Sequence, residues 1–493
     1  MRKQLGRVCA SVLALSLVAA ACGGDDDSTD TADTTPTEET TAEPADEPAA
    51  DEPAAEEPGD EPAAEEPAAD GEGLALEGEV EVAAGTVLNL SECPDDWSAT
   101  QGVDGDEIRI GQSLPQSGPA AAFGPIAEGM QAYFDWVNEN DPIADKDVVI
   151  VAKDDGYESG RTVANVEEMI DTEDIFAFAH IIGTPNNAAV RPITAENCIP
   201  QLFNATGFPL WGDPANYPWT IGNILNYVTE TQIWCQAIID EFGEGATVAA
   251  LIQNSDFGKT YQDALNNDPA CEGIEIVEEQ LHDPAADTIT NEVTTLIASD
   301  ADVFISGTTG TFCPQSVGAV AASEWRPRFF MSYTCNNLAS FFAPVQDAAA
   351  ALAADGAGVR MTNINKLCGD PKWADDPAIQ EVEMILDEYL GVTCADGSYS
   401  TGVLFAHILE TVLRDAAAMP GGLNRVNLMS AAWNVDTVDP LLMGGTLKTD
   451  GVNDAYLQEA AMVQEVQVID GELGYADITE VYDFEGQVGS FQG

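Results

Sequence analysis

From residue 107 onward, short apolar runs alternate with stretches of helical spacing. The runs 107–111, 147–151, 175–179, 247–252 and 302–306 are rich in Val, Ile, Phe and Ala, and they predict buried strands. Between the first two, Ile126, Met130, Tyr133, Phe134 and Val137 share one helical face. Val163, Val166 and Ile170 do the same between the second and third. Strands alternating with helices in this order predict a parallel sheet covered on both faces. The pattern runs on through a chain of 493 residues, more than one doubly wound domain needs, so two α/β lobes are expected. Residues 74–105, with Cys93 and Trp97, lack the pattern and read as an irregular arm pinned to the body.

The N-terminus carries an address. Arg2, Lys3 and Arg7 precede an apolar run over 8–21 that falls short of the roughly 20 residues a bilayer crossing needs, so 1–21 is read as an export signal. It ends Leu17-Val-Ala-Ala-Ala-Cys22-Gly-Gly24. Small residues leading into a cysteine resemble a bacterial lipobox, in which that cysteine is acylated, although Ala19 stands where a large aliphatic residue is usual. A plain secretory signal cut after Ala-x-Ala, leaving Cys22 as a thiol, is the other reading. The first places the protein on the extracytoplasmic face of the cell membrane by a lipid anchor alone. Residues 22–73 contain no aromatic residue and no Lys or Arg, and they repeat Glu-Pro-Ala-Ala-Glu-Glu-Pro. Too little apolar area is available there to offset ordering, which predicts a disordered, extended tether.

Against 86 acidic side chains stand 17 basic ones, a net charge of −69. Nucleic acid is excluded as a partner, because binding it requires Lys and Arg to displace the cations on phosphates. Apart from Cys9 and Cys22, the cysteines are Cys93, Cys198, Cys235, Cys271, Cys313, Cys335, Cys368 and Cys394. An even number in an exported chain suits up to four disulfides, and short separation favours Cys313 with Cys335 and Cys368 with Cys394. With no CxxC and only His180, His282 and His407, no zinc site is expected.

Enzyme motifs are absent: there is no GxSxG, HExxH or GxGxxG. The run Gln253-Asn-Ser-Asp-Phe-Gly-Lys-Thr260 follows a strand and opens a helix as a phosphate loop does. However, Gln253 replaces its first glycine, and Asp256 would point negative charge at a phosphate. Asp154, Asp155, Tyr157 and Glu158 could form an acid/base set, but their place past a strand end suits a turn and helix cap. The chain therefore reads as no enzyme, with no cofactor and no metal.

Three segments together resemble the type I periplasmic binding proteins, in their leucine/isoleucine/valine-binding branch of ABC-transporter solute receptors. They are Ile108-Arg-Ile-Gly-Gln-Ser-Leu-Pro-Gln-Ser-Gly118 with Phe123 and Gly124, Val149-Ile-Val-Ala-Lys-Asp-Asp155, and Asn254-Ser-Asp-Phe-Gly258. The resemblance implies an α/β fold of two doubly wound parallel-sheet lobes joined by a three-strand hinge. Lobe I would hold 106–223 and 360–445, and lobe II would hold 224–359 and 446–493. It also implies capture of a small solute by hinge closure and delivery to ABC permease subunits.

For the site, the resemblance maps the ligand-carboxylate loops to Gly183-Thr184 and Ala205-Thr206. It maps aromatic contacts to Phe123 and Phe257, and further wall positions to Thr308, Thr309, Tyr333 and Thr334. Phe123 and Phe257 as core residues, and Thr184 and Thr206 as helix caps, are the structural alternatives. The family's ammonium-binding carboxylate maps near Tyr333-Thr334, where this sequence has none. A buried ammonium without a counter-charge is costly, so a carboxylate, amide or aromatic acid fits better than a branched-chain amino acid. A sensory domain signalling through a membrane partner would use the same fold. A secreted enzyme would need a nucleophile–base pair, which the scarcity of histidine does not supply.

Overall fold

The computed structural model describes residues 73–103, 105–469, 471–488 and 490–491. The export signal, Cys22 and the tether up to residue 72 lie outside the described residues.

Residues 74–105, expected to be irregular, contain a hairpin of β1 (Glu79–Ala83) and β2 (Thr86–Asn89). Alternation buries Val80, Val82 and Leu88 on one face. The arm is pinned to the body by the Cys93–Cys198 disulfide and by Trp97 Nε1, which donates to the Cys198 carbonyl at 2.9 Å.

The first sheet is built from β3 (Glu107–Leu114), α1 (Pro125–Asn140), β4 (Asp147–Asp154), α2 (Ser159–Thr172), β5 (Ala177–Ala179), α3 (Thr184–Glu196), β6 (Gln201–Asn204) and β7 (Thr220–Gly222). Its order is β4-β3-β5-β6-β7, with every pair parallel. After α4 (Tyr227–Phe242) the plan repeats with β8 (Ala246–Gln253), α5 (Asp256–Asn267), β9 (Ile274–His282), α6 (Thr290–Ala298), β10 (Val303–Gly307), α7 (Phe312–Ala321), β11 (Arg328–Met331), α8 (Gln346–Ala354) and β12 (Val359–Asn363). These strands run β9-β8-β10-β11-β12, also parallel. In both sheets the second strand sits outside the first and the third inside it, so each has a switch point where a crevice opens at the strand carboxyl ends. Alternate residues of β8 face opposite cores: Val248, Ala250 and Ile252 join one, and Ala249 and Leu251 the other. That is the pattern of a sheet covered on both faces.

The chain then returns to the first lobe. Helices α9 (Pro377–Leu390), α10 (Tyr399–Ala418) and α11 (Arg425–Ala432) pack into the core around α1. After β13 (Asp436–Thr437) and β14 (Leu447–Lys448), it crosses back to add β15 (Ala460–Ile469), antiparallel to β12, with β16 (Glu472–Asp477) and β17 (Tyr482–Asp483) beside it. The lobes are thus joined at 223–226, just past Asn363, and at 449–459. Asn363 and Gln464 are tied across neighbouring strands at 2.9 Å.

All eight expected cysteines pair: Cys93–Cys198, Cys235–Cys271, Cys313–Cys335 and Cys368–Cys394. The two pairings expected from short separation are among them. No helix among the described residues is long and apolar enough to cross a membrane.

Candidate functional site

Between the lobes, at the carboxyl ends of both sheets, lies a cavity of about 70 Å³, several times the roughly 10–15 Å³ that one water requires. Lobe I contributes Phe123 from the loop after β3, Ile126 from α1, Tyr157 from the turn after β4, and Gly183 and Ala205 from the ends of β5 and β6. Phe405, Thr401 and Ser398 come from α10 and the turn before it. Lobe II contributes Phe257 from α5, Thr309 from the loop after β10, and Tyr333, Thr334, Asn336, Asn337 and Phe341 from the segment after β11. Ile182, Ile224 and Tyr227 complete the wall. Among the described residues, no Asp, Glu, Lys, Arg or His lines it.

Seven of the ten expected site residues line this cavity: Phe123, Gly183, Ala205, Phe257, Thr309, Tyr333 and Thr334. The other three stand behind it. Thr184 and Thr206 are buried and share a hydrogen bond between their hydroxyls, next to the Tyr227 hydroxyl. Thr308 Oγ1 is bonded to His282 Nε2 at 2.8 Å. The second carboxylate loop has also spent its amides: Ala205 N–H donates to Ile181 O at 3.0 Å, and Thr206 N–H to Asn204 O at 2.8 Å. Gly183 differs. It sits at φ +101, and a Cβ there would lie 2.7 Å from the Tyr157 ring. Its loop opens α3, whose first amides have no preceding turn to accept them.

The lobes are drawn together around this space. Thr311 N–H donates to the Pro119 carbonyl at 2.9 Å, and Asn337 Nδ2 to the Gly397 carbonyl at 3.3 Å. Phe123 packs on Phe341 at 5.7 Å, and Phe257 edge-on to Tyr227 at 5.2 Å. Phe257 is therefore a core residue and a wall residue at once, whereas Phe123 is partly buried and packs against the cores of both lobes.

Sequence reasoning missed Tyr157, Tyr227 and Phe405, which enter from three separate elements. Tyr157 reads in the sequence as part of a turn and helix cap, for which an exposed position is expected. In fact Asp155 is fully buried there, accepting from Ser113 Oγ and Tyr157 N–H, both at 2.8 Å. Against the upward push of burial, Asp154 accepts from Ser117 Oγ, Gln116 N–H, Gly156 N–H and Arg161, which hold its carboxyl well below the usual range. Both acids shape the turn that carries Tyr157. Residues 253–260 form a strand-to-helix turn in which a Cβ on Gly258 would meet the Gln253 carbonyl at 2.0 Å; the glycine serves that approach. His180 lies fully buried, stacked on Phe405 at 4.5 Å behind the wall, and burial lowers its pKa to about 3, leaving it neutral.

One carboxylate does come close. Glu230, in the first turn of α4, is fully buried. Its Oε1 accepts from Tyr333 N–H at 2.7 Å, and its Oε2 from the Tyr261 hydroxyl. It therefore braces the cavity wall from behind. Burial pushes its carboxyl up to about 8, against the pull of those hydrogen bonds. Below about pH 4.5 the folded and unfolded chains both hold this proton, and Glu230 adds no slope. Between there and pH 8 only the folded chain holds it, so stability falls as pH rises. Glu230→Gln should abolish that loss, gaining a few kcal/mol over wild type between pH 5 and 8. Parallel urea midpoints for the two proteins across that range would contradict the assignment.

Two similarly wound α/β lobes, three connecting segments and an uncharged cavity between them define a two-lobed solute-binding architecture. The profile of the periplasmic binding protein family matches residues 107–471. The chain belongs to that family, which consists of binding proteins rather than enzymes. Solved structures share the fold at low identity. A branched-chain amino acid ABC transporter protein from Thermus thermophilus with bound valine has TM-score 0.65 and 19% identity, covering 76% of this chain and 96% of that one. A fatty acid ABC transporter substrate-binding protein from Thermomonospora curvata has TM-score 0.65 and 17% identity, covering 79% and 96%. A solute-binding protein from R. palustris in complex with 4-hydroxybenzoate has TM-score 0.63 and 18% identity, covering 77% and 97%. No curated protein sequence matches this one significantly.

Proposed function

We propose that the protein is an extracytoplasmic solute-binding receptor of an ABC importer. Held at the membrane by a lipid on Cys22, it closes around a small solute and presents it to permease subunits. Among amino-acid-like, amide and carboxylate solutes, an apolar or aromatic carboxylic acid without an ammonium group is favoured. The observation that carries this choice is the uncharged lining. An ammonium would be buried without a counter-charge, since one oxygen of Glu230 is already bonded to Tyr333 N–H in the wall and the other to the Tyr261 hydroxyl behind it. A carboxylate can instead use the α3 amides at Gly183 and the hydroxyl and amide groups of Thr309, Thr401 and Asn336. The rings of Phe123, Tyr157, Tyr227, Phe257, Tyr333, Phe341 and Phe405 would enclose its apolar part. Closure is favoured because such a solute touches both lobes at once.

The test is a thermal-shift screen against amino acids, aliphatic and aromatic acids, and amides. The protein is first unfolded and refolded to strip carried-over solute. A ligand at about 100 times its dissociation constant adds about 2.7 kcal/mol, and acids are expected to give that stabilisation. Stabilisation by branched-chain amino acids alone would refute the solute class. A flat screen would favour a sensory or partner-binding role.

A further inference from the structure

Away from the cleft, the third crossing segment carries a second polar site. Asp454 and Glu459 lie on it, and Glu485 reaches it from the C-terminal segment past β17. Asp454 is 4% exposed and Glu459 1%. Among the described residues, no hydrogen bond reaches either Asp454 oxygen or Glu459 Oε1. Glu459 Oε2 accepts from Gly486 N–H at 2.7 Å. One cation is near: Lys448 Nζ, 3.3 Å from Glu485 Oε1 and on a half-exposed side chain. Acceptors thus face acceptors in a buried place, which is costly unless a proton or a cation is shared among them.

Their spacing indicates which charge. One oxygen from each of the three carboxylates lies within 4.8 Å of the others. Oxygens around a calcium ion at about 2.3–2.6 Å can be no farther apart than roughly twice that distance. With all three carboxyls ionised, they and the lysine leave two negative charges, which a divalent cation balances. Calcium suits the set better than magnesium, because it accepts bidentate carboxylates in loose geometry, whereas magnesium demands a near-ideal octahedron.

We propose that Asp454, Glu459 and Glu485 hold a calcium ion that fastens the third interlobe crossing to the C-terminal segment. The ion spans a connecting segment, so it stiffens one of the three strands about which the lobes move. It rests on no property of the cleft and stands whatever the solute is.

The test is calorimetric titration of chelator-treated full-length protein with calcium chloride at about 0.15 M salt, which screens diffuse binding to the acidic surface. Wild type, Asp454→Asn and Glu485→Gln are compared, with melting curves recorded with and without calcium. Wild type is expected to bind one ion per chain and to melt higher with it. Each variant should lose more than the roughly 10–100-fold in affinity that removing an outer-shell partner costs. Because Glu485 is partly exposed, Glu485→Gln tests the site even if Asp454→Asn folds poorly. Absence of one-to-one binding in wild type, or equal stabilisation of all three proteins by calcium, would overturn the site; the second would mean that only surface charge is being screened.

Discussion

Gly402→Ala is expected to destabilise the protein by about 3 kcal/mol or more, the upper end of what overpacking costs. A Cβ on Gly402 would lie 2.1 Å from the Ile126 carbonyl and 2.6 Å from Met130 N, and one on Gly129 would lie 1.9 Å from the Tyr399 carbonyl. The obstacles are backbone atoms of α1 and α10, so no side chain can swing aside. The helices must separate, and they carry Ile126, Met130 and Phe134 against Val403, Ala406 and Leu409 in the core of lobe I. Solute binding should weaken too, because Ile126, Thr401 and Phe405 reach the cavity from this same pair. Urea midpoints read the first effect; a variant within about 0.5 kcal/mol of wild type would show that the helices absorb the methyl.

Loss of one disulfide should cost still more. Cys93 and Cys198 are 105 residues apart with Cα atoms 5.5 Å from each other. In the chain-entropy account, closing a loop of that length stabilises by about 4–5 kcal/mol. The double variant Cys93→Ser/Cys198→Ser is expected to lose about that much and to release the hairpin arm. The arm should then become the first segment cut by protease, since Trp97 and the buried face of β1–β2 would be its main remaining ties. A loss under about 1 kcal/mol would mean that those ties hold the arm unaided.

How far the residues foretold this molecule depended on how local each signal was. Strands β5, β8 and β10 are buried on both faces and read as apolar runs, and edge strand β4 was legible from its run 148–151, of which only Val148 is fully buried. Strand β9, at the edge of its sheet, went unread because Glu275, Glu278 and Glu279 interrupt its Ile and Val positions. Strand β12, only Val359–Asn363, is defined by its neighbours β11 and β15 and not by its own residues. At the site, the loops closing strands were legible, since carboxyl ends at a switch point are where ligands gather. Phe405, Tyr227 and Phe341 were not, because each lies on a helix or turn far along the chain that meets the cleft through tertiary packing alone. The missing carboxylate at Tyr333-Thr334 was legible. Glu230, which supports that stretch from α4, is 103 residues away in sequence, and no local pattern announces it.

An acid, and not an ammonium-bearing solute, is the proposed ligand of this uncharged cleft. Titration of the refolded protein with benzoate, a saturated aliphatic acid and L-leucine in a calorimeter tests it most directly. Saturable one-to-one binding of at least one acid is predicted, with the negative heat-capacity change that accompanies apolar burial, and no binding of L-leucine. Tight binding of L-leucine with none of either acid would contradict it.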